Sequence, residues 1–222
     1  RRAGETANNS KSPMIVCLSA HDATGASGMA ADMEAIVSQG CHASTVITCL
    51  TVQDSQMMSS LIPIDDDIIV QSARAVREDT PVDVIKIGLI GSDEGVQAIH
   101  SILNDYPDIP VVFDPSLIGN DGVELADDDM VKSIRELLIN HADIITLSPA
   151  EAGILIPEAD NLAAMMTGLM EKGCEHILLS GRRDTGTVVV NSLYHNYRVI
   201  EQFEWPRLDN EFYGAGCTLS AS

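Results

Sequence analysis

At 222 residues, 45% hydrophobic but only 4% aromatic, the chain can bury one sizeable core made of aliphatic side chains. Its 33 acidic and 13 basic residues leave a formal net charge of -20, which repels nucleic acid and anionic membrane and obliges any nucleotide site to gather local positive potential. No apolar run approaches membrane-spanning length.

Apolar runs then alternate with helix-period segments. Residues 14–20 read as a strand, and 28–39 as a helix with Met29, Met33, Ile36 and Val37 on one face. The β-branched stretch 44–50 is a strand. Residues 65–77 read as a helix with acids at its start and Arg74 and Arg77 at its end, matching the helix dipole. Strands at 84–90, 111–114, 144–147 and 176–179 alternate with helices at 94–103, 127–140 and 162–172. Residues 187–193 and 197–203 read as a hairpin. The alternation predicts an α/β fold, a three-layer α/β/α sandwich around a mostly parallel sheet. Residues 14–222 are expected to form one domain, preceded by a disordered tail over 1–13.

Five scattered cysteines (17, 41, 49, 174 and 217) form no CxxC pair, and the six histidines show no metal spacing. Reduced thiols and a cytoplasmic location follow as the expectation, and the N-terminus lacks the apolar region of a signal peptide. The triplets Asp65, Asp66, Asp67 and Asp127, Asp128, Asp129 suit helix starts, where carboxylates cap amides, better than a metal.

Ligands of open α/β sheets bind beyond the carboxyl ends of the strands, so the loops there carry the chemistry. Gly214-Ala215-Gly216-Cys217-Thr218-Leu219-Ser220-Ala221 has two glycines, small residues and a helical start. Its backbone amides can cradle an anion, and the first helical turn is expected to lower the Cys217 thiol. On this segment alone a packing turn remains an equal reading. His21-Asp22-Ala23-Thr24-Gly25-Ala26-Ser27-Gly28 follows the first strand but lacks both GxGxxG and GxxxxGK[ST]. Gln53, Lys86, Asp114 and Glu151 are polar groups at strand ends, and the last two could hold Mg²⁺ directly or through water.

Six segments (21–32, 46–53, 83–90, 111–114, 144–151 and 214–221) occur in an order that resembles the ribokinase-like kinases. Within them the chain looks most like the hydroxymethylpyrimidine/phosphomethylpyrimidine kinases, which carry Cys-Thr-Leu-Ser-Ala after Gly-Ala-Gly where sugar kinases carry Asp. The resemblance implies ATP-dependent phosphorylation, with Mg²⁺, of 4-amino-5-hydroxymethyl-2-methylpyrimidine and its monophosphate in thiamine biosynthesis. It also implies a homodimer. It places Asp32, Gln53, Leu89 and Ser116 at the pyrimidine, and Cys217 at the hydroxymethyl oxygen. Gly214, Ala215 and Gly216 would form the anion hole, and Asp114 and Glu151 would act through metal and water.

The chain departs from the family at several positions. Ser148 stands where Asn is usual and Ser180 where a phosphate-facing Lys is usual, with Arg182 or Arg183 as the nearest substitute cation. The first loop reads His-Asp-Ala-Thr-Gly-Ala for Ser-Asp-Pro-Ser-Gly-Gly, and Glu211-Phe212-Tyr213 replaces the region where Thr-His is common. Losing a cation from a phosphate site removes up to a few kcal/mol of transition-state stabilisation. Pyridoxal or pyridoxine kinase activity, and a pyrimidine sensor without turnover, are the alternative functions. Family members continue with further helices past the position of Ser222, so further sequence is expected there.

Overall fold

The computed structural model describes residues 12–54, 57–119, 121–182, 187–208 and 213–222. Nearly all of the predicted tail, residues 1–11, lies outside the described residues, as does Arg183.

Among the described residues nine strands form one sheet: β1 (Met14–Asp22), β2 (His42–Gln53), β3 (Met58–Pro63), β4 (Val84–Ile87), β5 (Val111–Phe113), β6 (Ile144–Leu147), β7 (His176–Arg182), β8 (Val188–His195) and β9 (Arg198–Pro206). Their spatial order is β3-β2-β1-β4-β5-β6-β7-β8-β9. The junctions from β2 through β1 and β4 to β7 are parallel. The junctions β2–β3, β7–β8 and β8–β9 are antiparallel. The chain reverses its direction of travel across the sheet between β1 and β4, which opens a crevice there.

The helices are α1 (Gly28–Ser38), α2 (Asp66–Asp79), α3 (Asp93–Asp105), α4 (Asp128–Ser133), α5 (Pro149–Leu155), α6 (Leu162–Glu171) and α7 (Ala215–Ser220). The helices α2 to α6 touch in succession and cover one face, while α1 and α7 pack against each other. Strand periodicity assigns the two layers. Val16, Leu18, Ile85, Ile87, Ile145 and Leu147 enter the core with α2, α3 and α5. Cys17 and Lys86, paired in register, face the other way towards Asp32 of α1. The predicted three-layer sandwich is therefore the observed one.

Both Asp triplets act as helix starts. Asp65 accepts from Asp67 N at 3.1 Å, and Asp127 from Met130 N at 2.9 Å. Three elements depart from the sequence reading. β3 lay within unassigned sequence because Met-Ser-Ser-Leu-Ile-Pro does not alternate; its pairing with the edge of β2 defines it. α5 is absent from the predicted helices; it opens directly after β6 with Ser148 as its N-cap. The helix predicted over 127–140 widens to a π turn at Ile134–Leu138 and tightens again at Ile139–His141, which lets Ile134, Leu138 and Ile139 all reach the core.

Candidate active site

A cavity of about 720 Å³ opens beyond the carboxyl ends of β1, β2 and β4 to β7. Its wall holds Gln53, Leu89, Asp114, Ser116, Ser148, Glu151, Ser180 and all of Gly214, Ala215, Gly216 and Cys217. Residues spread over 165 positions of sequence thus meet because parallel strands end at one edge.

The first loop is built around Asp22. Its carboxylate accepts from Thr24 N and Oγ1 and from Ser27 N and Oγ, at 2.8–3.0 Å. Burial acts to raise this carboxyl, but the Thr24 and Ser27 bonds outweigh it and hold it below the usual carboxylate range. The fixed Ser27 hydroxyl then accepts from Gln53 Nε2 at 3.1 Å, which aims Gln53 across the cavity. Gly214, with φ of 73°, presses on the same loop; a Cβ there would overlap the Ala26 carbonyl. The cradle can close on the loop only with glycine at 214.

Ala215, Gly216 and Cys217 open α7, so their amides have no acceptor within the helix. The expected lowering of the Cys217 thiol does not occur. Burial pushes it up to about 11, with the Lys86 ammonium opposing and Asp114 and Asp32 adding to the rise. One short turn of dipole is outweighed by desolvation.

Beneath the cradle lies a buried charge cluster. Lys86 Nζ, on a side chain 2% exposed, donates to Asp32 Oδ1 at 2.8 Å and stands 4.0 Å from Asp114 Oδ2. Burial acts to lower this ammonium, but Asp114 and Asp32 more than offset it and keep Lys86 charged. Ser220 of α7 donates to Asp114 Oδ2 at 3.0 Å. One ammonium thus joins α1, the end of β5 and, through Asp114, α7. Asp32, expected at the pyrimidine, is instead fully buried behind the cavity wall, where its carboxylate serves Lys86. The space beside Nζ is kept by Gly88, whose added Cβ would lie 3.1 Å from it and 2.5 Å from Ser19 Oγ.

Glu151 and Ser148 form a capping box on α5. Glu151 Oε2 accepts from Ser148 N and Oγ, both at 2.8 Å, while Ser148 Oγ accepts from Glu151 N at 3.3 Å. Oε1 accepts from Leu117 N at 3.0 Å. Burial nonetheless pushes the Glu151 carboxyl above its usual range, against the Ser148 bonds. Thr146 Oγ1, on the cavity floor, is buried and has no partner among the described residues. Sequence reasoning singled out Lys86 without giving it a role and passed over Thr146. Each is a polar residue inside an otherwise aliphatic strand (Val-Ile-Lys-Ile and Ile-Ile-Thr-Leu), which is the signal that marks them.

The sequence pattern of the Phosphomethylpyrimidine kinase family matches residues 22–222, nine-tenths of the chain. The chain belongs to that family. The thiamine biosynthesis multifunctional protein ThiED of Corynebacterium glutamicum is 28% identical over 225 residues, covering 99% of this chain and 29% of that protein. The hydroxymethylpyrimidine/phosphomethylpyrimidine kinase of Aquifex aeolicus is 26% identical, covering 94% of this chain and 84% of its own. This chain spans less than half the length of the multifunctional and bifunctional relatives it matches. Among solved structures, the phosphomethylpyrimidine kinase of Clostridium difficile 630 superposes with a TM-score of 0.78 at 25% identity, over 95% of this chain and 88% of that one. A Bacillus subtilis pyridoxal kinase in complex with ADP shares the fold, with a TM-score of 0.81 at 21% identity.

Against the phosphomethylpyrimidine kinase pattern, the two substituted positions behave differently. Ser148 is engaged in the α5 cap, so its hydroxyl is committed to the fold. Ser180 lines the cavity and donates to Leu147 O at 3.4 Å. Arg182 is the last residue of β7.

Proposed function

We propose that this chain transfers the γ-phosphoryl group of ATP to the hydroxymethyl oxygen of 4-amino-5-hydroxymethyl-2-methylpyrimidine, and to the phosphate of its monophosphate, in thiamine biosynthesis. The observation that carries the proposal is the cradle Gly214–Cys217, with the charged Lys86–Asp114 pair beneath it, opening on a cavity that also holds Gln53 and Leu89. Gln53 reads the hydrogen-bonding edge of the pyrimidine, and Leu89 and Ser116 pack around the ring. Asp32 acts as a positioning residue through Lys86.

At neutral pH a thiol titrating at about 11 is protonated. Cys217 therefore orients the substrate hydroxyl and is not its base. That suffices for a loose transition state, in which the attacking hydroxyl loses its proton late. The amides of 215–217 receive the developing charge, and catalysis rests on positioning and charge stabilisation. Asp114, Glu151 and the Thr146 hydroxyl form an all-oxygen donor set of the kind a hard divalent cation takes. Since both Glu151 oxygens already accept hydrogen bonds, that residue would hold Mg²⁺ through water, with Asp114 the direct ligand. Bound Mg²⁺ would supply charge neutralisation on the transferring phosphates. Ser180 borders the nucleotide side of the cavity in this reading.

The enzyme is proposed to work as a cytoplasmic homodimer. Every residue of β9 is exposed, including Val199, Ile200, Phe203 and Trp205, and this apolar edge suits a second copy. Steady-state assays with ATP-Mg²⁺ test the reaction. Turnover of the pyrimidine with kcat/KM above that for pyridoxine is expected. Preference for pyridoxine would reassign the substrate, and pyrimidine binding without turnover would make the chain a sensor.

A further inference from the structure

At the opposite end of β7 from the cavity, His176 pairs in register with His195 across the antiparallel β7–β8 junction. Their rings stack with centroids 4.3 Å apart and planes 12° from parallel. Each Nδ1 meets a main-chain carbonyl: His176 that of Asp143 at 3.3 Å, and His195 that of Glu175 at 3.2 Å. A carbonyl oxygen only accepts, so these contacts favour the tautomer with its proton on Nδ1, which in the neutral imidazole leaves the lone pair on Nε2. This is the backbone support that metal-ligating histidines commonly have. One donor atom from each of Glu175, His176 and His195 lies within 4.8 Å of the other two.

We propose that Glu175, His176 and His195 form a second metal site, distinct from the kinase cavity, that takes a borderline divalent cation, zinc foremost. Two imidazole nitrogens with one carboxylate oxygen is a zinc donor set with room for water in the fourth position. Mg²⁺, which prefers oxygen, is selected against. Neighbouring groups do not complete a different set. The Asp143 carboxylate accepts from Val111 N at 2.7 Å, and the buried Cys174 thiol is turned inward to the His176 carbonyl at 3.0 Å. Closing on one ion requires the stacked rings to splay about χ2, a broad torsion for histidine, and the exposed Glu175 side chain to swing in. The net charge of -20 raises the local concentration of cations. Ser180 lies four residues along β7, roughly 13 Å at the usual strand rise, so the ion would clip β7 to β8 without touching the reacting groups.

Calorimetric titration of the whole chain with zinc chloride, in excess Mg²⁺ to fill oxygen-only sites, tests the proposal. The expected result is one zinc equivalent per chain, with affinity reduced on the order of tenfold or more in His195→Ala and in His176→Ala. A zinc-dependent rise in Tm should vanish in both variants, while their metal-free Tm and pyrimidine kinase rate stay at the parent level. Long-range ¹H–¹⁵N spectra should show zinc moving the Nε2 resonances of these two rings. Absence of zinc binding by the parent, binding undiminished in both variants, or unmoved ring resonances would each overturn it.

Discussion

The state of single ionisable groups decides how the cavity can work. With its thiol pushed up to about 11, Cys217 should contribute no inflection to the kcat–pH profile between pH 6 and 9. Cys217→Ala should lower kcat by on the order of a hundredfold, the cost of a misplaced hydroxyl, without adding a new neutral-range inflection. A thiolate-type inflection near neutrality in the parent, absent from Cys217→Ala, would contradict the orienting role. Lys86 makes a sharper case. Lys86→Met removes the charge and leaves Asp32 and Asp114 buried together, which should cost about 3–5 kcal/mol in denaturant unfolding. The double variant with Asp32→Asn should recover part of that loss, because the orphaned carboxylate is then neutral. Simple additivity of the two losses would show that the pair is not coupled.

Among the elements, the first loop and α7 depend on one another. Gly214 can press on the Ala26 carbonyl because residues 22–27 are held by Asp22. Gly214→Ala should displace the cradle and lower kcat by about 10²–10³, the effect of losing an oxyanion donor, with a smaller change in Tm. Asp22 also gives the loop a pH dependence with a definite sign. Its folded value is depressed, so its stabilisation is fully present above the ordinary 3.8 and is lost as pH falls through the folded value. Asp22→Asn should therefore flatten the acid limb of a Tm–pH curve and leave the curve's shape above pH 5 unchanged. Ser148 belongs to this scale as well: as the α5 cap its replacement by alanine should cost about 1 kcal/mol and loosen Glu151.

For the whole molecule, the question is how a chain of net charge -20 would hold the polyphosphate of the proposed reaction. Among the described residues near the cradle the buried cation is Lys86, and it is matched by two carboxylates. Ser180 stands where the family resemblance implies a phosphate-facing lysine. Ser180→Lys should lower KM for ATP by roughly tenfold, about 1.4 kcal/mol, with KM for the pyrimidine unchanged; an unaltered KM for ATP would show that position 180 does not face the phosphates. The exposed β9 makes its own prediction. Light scattering should give twice the 23.8 kDa chain mass, and Ile200→Glu should return it to the monomer value.

The amino-acid sequence by itself determined the alternation of strands and helices, the parallel sheet and the family. Apolar period and turn chemistry are local, and the Gly-Ala-Gly-Cys-Thr-Leu-Ser-Ala run is contiguous. Eleven of the expected site residues line the cavity, since strand ends are legible once strands are. Only the tertiary structure decided that Asp32 sits behind that wall and serves Lys86, and that the Cys217 thiol is raised and not lowered; the Ser148 cap, by contrast, is local, a capping box within the contiguous Ser-Pro-Ala-Glu. The first two outcomes depend on burial and on partners 54 or more residues away in sequence for Lys86, Asp114 and Cys217. Desolvation and long-range charge have no local sequence signature. The strand β3 and the His176–His195 pair were hidden for the same reason, because each exists only through the strand beside it.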